Sequence, residues 1–194
     1  MKTRVGVLIS GRGSNMEALI EASRAPDCPY EIVLVLSNKS DAGGLETARA
    51  AGIEARAVDQ KDFFRDREGH ERALDAALRG AGVEVIALAG YMRVLTPFLV
   101  KAWEGRMMNI HPSLLPLFPG LDTHNRVIAA GHAEHGCTVH LVTVGVDEGP
   151  VVAQARVPVL PGDDAQSLSE RVLVAEHQLY PKALSDFCRK LAAA

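Results

Sequence analysis

The feature that most restricts the fold of this chain is an alternation in its first hundred residues. Four short apolar runs, at 4–10, 31–37, 55–58 and 83–89, each bounded by Gly, Asn or Asp, are separated by amphipathic stretches at 15–23, 45–51 and 68–79. Runs too short for helices, joined by segments with helical periodicity, read as βαβ units, and these require a largely parallel sheet. In the first run Val5, Val7, Leu8 and Ile9 are apolar almost without interruption. A strand of that kind has no solvent face and needs helices on both sides. The expectation is an α/β, Rossmann-like fold: a mostly parallel twisted sheet with helices on both faces.

Beyond Tyr91 the pattern changes. Thr96 followed by Pro97 opens a short helix to 103, with Pro97 at the position where its missing N–H is harmless. A strand over 107–111 is cut off by Pro112, and a Pro-rich loop follows to 119. A helix is expected at 125–130. Runs at 137–144 and 151–157 form a hairpin around Asp147-Glu148-Gly149-Pro150, so the C-terminal part of the sheet is mixed or antiparallel. The last helix, 165–190, carries an apolar stripe at Leu168, Val172, Ala175, Leu179, Ala183 and Phe187. Pro181 is expected to kink or divide it. No linker or repeat interrupts the 194 residues, which read as one domain, 1–194.

Composition excludes several partners. Twenty-one basic against 24 acidic residues leave a net charge of −3, the wrong sign for a protein that grips nucleic acid. The apolar runs fall far short of the ~20 residues of a membrane span. The run 5–9 is also too short for a signal peptide and stops at Ser10-Gly11. Cys28, Cys137 and Cys188 are widely spaced and form no CxxC pair, which suits reduced thiols and a cytoplasmic location.

Two places carry chemistry. Ser10-Gly11-Arg12-Gly13-Ser14-Asn15 joins the first strand to the first helix, where backbone N–H groups gather for a phosphate. The third glycine of a dinucleotide fingerprint is replaced by Met16, and the second strand ends in Ser37-Asn38-Lys39 rather than in an acid for a ribose. A monophosphate held by Gly13, Ser14 and Asn15 remains, against the plainer alternative of Ser14 or Asn15 capping a helix. In Met107-Met108-Asn109-Ile110-His111, the strand period of two sets Asn109 and His111 side by side on one face. Asp147 lies in a turn where Asp is common for conformational reasons. If that turn folds back toward His111, its carboxylate supports an imidazolium. The segment His132-Ala133-Glu134-His135-Gly136-Cys137-Thr138-Val139-His140 is rich in metal-ligand types, but its spacing matches no zinc pattern. His140 and Thr138 share a face and could line a pocket. A non-catalytic phosphate sensor, or a reductase in which Lys39 meets a 2′-phosphate, fits the glycine loop alone.

Taken together, Gly11-Arg12-Gly13-Ser14-Asn15, Leu88-Ala89-Gly90-Tyr91-Met92-Arg93, Asn109-Ile110-His111-Pro112-Ser113-Leu114-Leu115-Pro116 and Asp147-Glu148-Gly149-Pro150, in that order, resemble the phosphoribosylglycinamide formyltransferases. These are folate-dependent enzymes of purine biosynthesis, within the 10-formyltetrahydrofolate transferase superfamily. The Asn-x-His-Pro signature with its downstream Asp points to the superfamily. The glycine loop points to a ribonucleotide acceptor, and the length leaves no room for the tRNA-binding or regulatory domains of relatives. The resemblance implies Asn109, His111 and Asp147 as the catalytic trio, Gly13, Ser14 and Asn15 as the phosphate loop, and Glu176 as the carboxylate for the substrate amine, with Asn109 also facing substrate. It implies folate contacts at Arg67, Met92, Arg93, Val94 and Leu95, with Thr143, Val144, Gly145, Val146 and Asp147 as the pterin wall. Residues 1–100 are then the phosphate-binding half and 101–194 the catalytic, folate-binding half. Asp122 stands where many members have His and receives no role. The expected partners are glycinamide ribonucleotide and the cosubstrate 10-formyltetrahydrofolate, with no metal, nucleic acid or membrane, in a monomer or homodimer.

Overall fold

The computed structural model describes residues 1–194. Its centre is one seven-stranded sheet in the order β3-β2-β1-β4-β5-β6-β7. Strands β1 (Thr3–Ile9), β2 (Tyr30–Ser37), β3 (Glu54–Ala57), β4 (Val85–Leu88) and β5 (Met107–His111) are parallel to one another. Strands β6 (Glu134–Leu141) and β7 (Val151–Pro158) add an antiparallel extension. The helices are α1 (Ser14–Ser23), α2 (Gly44–Ala50), α3 (Arg67–Gly80), α4 (Pro97–Ala102), α5 (Thr123–Ala129) and α6 (Ala165–Ala192), with a 3₁₀ turn at Gln60–Phe63. The expected elements are all present. The second strand of the hairpin matches its apolar run to within one residue, ending at Pro158 opposite Glu134. The first strand is shifted: it begins at Glu134, three residues before its apolar run, and leaves the ladder early, with Val142 still donating to Met107 O but Thr143 and Val144 turning away into the loop.

The alternation along β1 distributes the core to two faces. Val5, Val7 and Ile9 pack with Met16, Leu19 and Ile20 of α1 and with Tyr180, Ala183 and Leu184 of α6. On the other face Leu8, Leu34 and Leu36 meet Leu74 and Leu78 of α3 and Leu99 of α4. Because Met108 and Ile110 belong to the α1–α6 side, Asn109 and His111 point to the α3–α4 side. β1 is flanked by β2 and β4, so successive connections leave in opposite directions at its C-terminal end, and a crevice opens there.

The division expected at Pro181 does not occur. α6 runs as one helix from Ala165 to Ala192 with Pro181 inside it. Burial of Tyr180, Ala183 and Leu184 on either side of the proline outweighs one missing backbone bond. The Tyr180 hydroxyl also lies 3.0 Å from Leu88 O and 3.2 Å from Met108 O, donating to the ends of β4 and β5. A Tyr180→Phe variant should therefore lose about 1–2 kcal/mol in urea denaturation. An unchanged midpoint would show that these carbonyls gain nothing from the hydroxyl.

Candidate active site

At the end of β1 the chain turns through Gly13, whose φ of 74° is left-handed and suited to glycine, into α1. Neither Ser14 nor Asn15 caps the helix: Gly13 occupies the cap position and no side chain bonds to the first-turn amides. Those donors face a cleft of about 220 Å³ formed by Ser10 to Asn15, Lys39 and, after β4, Ala89, Gly90 and Met92. A helix N-terminus without a side-chain cap, beside Arg12 and Lys39, has the polarity that suits an anion. Asn15 Nδ2 donates at 2.8 Å to Glu176 Oε2. Glu176 is only 7% exposed, and burial raises its pKa while the Asn15 bond opposes the rise.

The strand pair β5–β6 supplies the second cluster. Asn109 lies opposite His140 and His111 opposite Thr138. Asn109 Nδ2 is 3.3 Å from His140 Nε2, and His140 Nδ1 donates to Leu141 O at 3.0 Å. Those two bonds select the neutral His140 tautomer protonated on Nδ1, whose Nε2 accepts from Asn109. Burial lowers the His140 pKa, more strongly than the Leu141 carbonyl and the Asp147 carboxylate raise it. One N–H of Asn109 is thus committed to orientation and the other is left for chemistry.

Asp147 reaches this cluster from the connecting loop. β6 leaves the sheet at Leu141, opposite Met108, so the loop must fold back over the α3–α4 face. It does so with Asp147 at φ 56° and with Gly149 so close to Leu141 O that a Cβ would lie 1.7 Å from that oxygen. Asp147 Oδ2 stands 3.4 Å from His111 Nδ1, and Oδ1 stands 3.7 Å from His140 Nε2. Gly120 N donates to Asp147 Oδ2 at 2.9 Å. His111 Nε2 donates to Phe118 O at 3.0 Å, so both ring nitrogens face oxygen atoms. The 118–120 backbone is thereby latched onto the His111–Asp147 pair. Thr138, by contrast, is structural: its hydroxyl donates to Ser113 O and accepts from Leu115 N.

The residues expected to line a folate fall on two segments, one after β4 and one after β6. Leu95, the last residue of the first segment, and Val142, just before the second, both pack on the α3–α4 core cluster. Met92, Val94, Val144 and Val146 are more than half exposed, which is unusual for a group of large apolar side chains without a ligand. α3 fixes the first segment: Arg67 Nη2 donates to Val94 O, and Glu71, 1% exposed, accepts from Thr96 N at 2.7 Å. Arg93 lines an adjoining cleft of about 440 Å³ with Gln60, Lys61 and Phe64. Thr143 is exposed and Gly145 half-buried on the second segment.

The histidine-rich segment holds no group of three or more metal-ligating side chains. His135 is buried instead against His124, Nδ1 of His124 lying 3.1 Å from His135 Nε2. Burial, reinforced by the neighbouring histidines, lowers the His135 pKa from 6.5 to about 4. Burial also lowers those of His70, His124, His140 and His177. Between pH 6.5 and 4 the unfolded chain therefore binds protons that the folded chain refuses. Stability is complete above pH 6.5 and is lost as pH falls through this window. Glu176, with its raised pKa, acts in the opposite sense but is one group against five. The urea midpoint should fall steadily from pH 7 to pH 4.5, and a flat or rising profile would contradict the histidine assignment.

Comparison with known proteins bears directly on this arrangement. The formyl transferase family model matches residues 3–184. The chain belongs to the formyl transferase family. Within it, the chain is 45% identical over 181 residues to phosphoribosylglycinamide formyltransferase of Escherichia coli, covering 93% of this chain and 85% of that protein. The crystal structure of phosphoribosylglycinamide formyltransferase from Brucella melitensis superposes with a TM-score of 0.93 at 56% identity, covering 97% of this chain and 96% of that one. The trifunctional purine biosynthetic protein adenosine-3 of Drosophila pseudoobscura is 50% identical over 186 residues, but this chain spans only 14% of its length. The seven-stranded sheet with its antiparallel end is thus the family architecture. Formyl transfer calls for a folate-type formyl donor, which suits the two exposed apolar segments. Sequence reasoning gave no role to Ser10 and Gly90 of the glycine-loop cleft, and gave Lys39 one only in the alternative of a reductase's 2′-phosphate.

Proposed function

We propose that this chain transfers the formyl group of 10-formyltetrahydrofolate to the amine of glycinamide ribonucleotide, a step of purine biosynthesis. The observation that carries this reading is the convergence of Asn109, His111 and Asp147, from a strand and a remote loop, with 3.4 Å between the His111 ring and the Asp147 carboxylate. The glycine-loop amides of Gly13, Ser14 and Asn15 take the phosphate. Glu176, bonded to Asn15, serves the amine-bearing side of the ribonucleotide. The folate lies between the segment Met92, Arg93, Val94 and Leu95, with Arg67 behind it, and the wall from Thr143 to Asp147.

The substrate amine attacks the formyl carbon, a C–N bond forms and the carbonyl oxygen becomes an oxyanion. The free N–H of Asn109 and a ring N–H of His111 donate to that oxygen. His111 Nε2 is held by Phe118 O, so the 118–120 backbone must yield this donor as the oxyanion forms. Asp147 accepts the proton that the amine loses, the bond from carbon to N10 breaks, and N10 takes the proton. The electron pairs balance without any redox step or covalent intermediate on the protein.

The test mixes purified chain with both substrates and follows formylated ribonucleotide by mass and donor loss by absorbance. Stoichiometric appearance of the formylated product is expected. Donor loss without product would make the chain a hydrolase, and no change in either would leave the reading without support.

A further inference from the structure

The residue that replaces the ribose-binding acid at the end of β2 has an unassigned position in this fold. Asn38 is 0% exposed and cannot reach a ribose. Its side chain lies instead beneath the crevice. Ser10 Oγ donates to Asn38 Oδ1 at 2.6 Å, and Met92 N donates in turn to Ser10 Oγ at 2.8 Å. On its other side Asn38 Nδ2 donates to Gln60 Oε1 at 2.8 Å, while Gln60 N donates to Asn38 O at 3.0 Å. Ser10 opens the glycine loop whose far end, Gly13, Ser14 and Asn15, is the proposed phosphate site, and Met92 is the first residue of the proposed folate segment. Both line the 220 Å³ cleft. Gln60 lines the 440 Å³ cleft with Arg93.

We propose that Asn38 is a positioning residue for formyl transfer: acting through Ser10, it sets the separation between the acceptor's phosphate loop and the donor's backbone segment. This rests on the assignment of the two loops given above. The physical need is specific. A two-substrate transfer requires nucleophile and carbonyl carbon about 3–3.5 Å apart, and a displacement of about 1 Å costs on the order of a hundredfold in rate. Each substrate is anchored on a different loop, so the distance between the loops becomes a kinetic quantity. A serine hydroxyl can rotate among three staggered positions. Donation to the buried Asn38 carbonyl selects the rotamer whose lone pair receives Met92 N–H. The residue must be an acceptor with no freedom of its own, and the Gln60 bond together with full burial removes that freedom. An aspartate in this place keeps the acceptor, since the Gln60 amide can turn its Nε2 toward it, whereas an alanine keeps nothing.

The experiment is a double-mutant cycle on turnover with both substrates, using Asn38→Ala, Ser10→Ala, their combination and Asn38→Asp. The expected result for Asn38→Ala is kcat about ten- to a hundredfold lower, with each KM within about threefold of wild type. Because Ser10 and Asn38 act on one path, the double variant should be no worse than the poorer single variant. Asn38→Asp should restore kcat to within about threefold. Additive losses, an unchanged kcat in Asn38→Ala, or an Asn38→Asp variant as slow as the alanine would each overturn the proposal. Should Asn38→Ala fail to fold, Ser10→Ala and Asn38→Asp carry the same two readings. Wild-type turnover separates this proposal from the one it rests on: absence of formylated product in wild type removes the functional reading, whereas normal wild-type turnover with unaffected variants removes only the role of Asn38.

Discussion

An Asp147→Asn variant should fold normally and lose formyl transfer by about 10²–10⁴-fold in kcat, the range expected when a positioned proton acceptor is removed. The substitution is nearly isosteric. The asparagine carbonyl still accepts from Gly120 N, so the latch on the 118–120 backbone survives. The negative charge facing His111 Nδ1 at 3.4 Å and His140 Nε2 at 3.7 Å does not. Proton movement from the amine to N10 then has no carboxylate to pass through, while the phosphate loop and the apolar folate segments are untouched. Both KM values should stay within about threefold in steady-state kinetics, with the loss confined to kcat. If the variant turns over near the wild-type rate, Asp147 is a turn-forming residue and the proton takes another route.

Asn109→Ala is expected to cost about 10²–10³-fold in kcat, the usual effect of deleting one preorganised oxyanion donor. Two N–H groups leave with the amide, one aimed at His140 Nε2 and the other available to the developing oxyanion. The His140 ring nitrogen is buried and loses its donor, so a stability loss of about 1–2 kcal/mol should accompany the kinetic one. An Asn109→Asp variant separates the two roles: it can rotate to face the strand but offers the oxyanion only negative charge, and it should be at least as slow as the alanine. A double cycle with His111→Ala would show whether the two donors stabilise one oxygen, because losses on a shared oxyanion are not additive. A rate for Asn109→Ala within fivefold of wild type would remove the amide from the chemistry.

What was legible in the sequence was whatever local geometry dictates. The near-continuous apolar run from Val5 to Ile9 required a sheet covered on both sides, and the period of two along β5 placed Asn109 and His111 on one face. Contacts made through loops were not legible. Nothing between Leu141 and Pro150 states that the chain folds back over the sheet, so Asp147 became a site residue only through the resemblance. The helix α6 shows how periodicity misleads. The apolar stripe Leu168, Val172, Ala175, Leu179, Ala183, Phe187 fits helical spacing, yet Ala175, Leu179 and Phe187 are only half-buried. The buried line runs through Glu176, Tyr180, Leu184 and Cys188. The expected line steps by three and four and the buried one by four, both helical spacings, and the carboxylate of Glu176 argued against the correct one. Its burial is affordable only because Asn15, distant in sequence, supplies a hydrogen bond. Asn38 was read by what it is not, an acid for a ribose, and its actual bonds depend on Ser10 and Gln60 being brought beside it.

Asn109, His111 and His140 are parts of two paired strands, whereas Asp147 comes from the loop that folds back across them. The two kinds of support differ in lifetime. Strand amides in the middle of a sheet exchange with solvent only when the domain opens as a whole, while a surface loop opens alone and far more often. The time the carboxylate spends beside the imidazole is therefore set by the loop and not by the sheet, and turnover scales with that fraction. Hydrogen exchange should show protected amides at Asn109 and His140 beside faster ones at Thr143 and Val144. The speed of the reaction can thus be tuned by residues that touch neither substrate, through the time the loop spends closed.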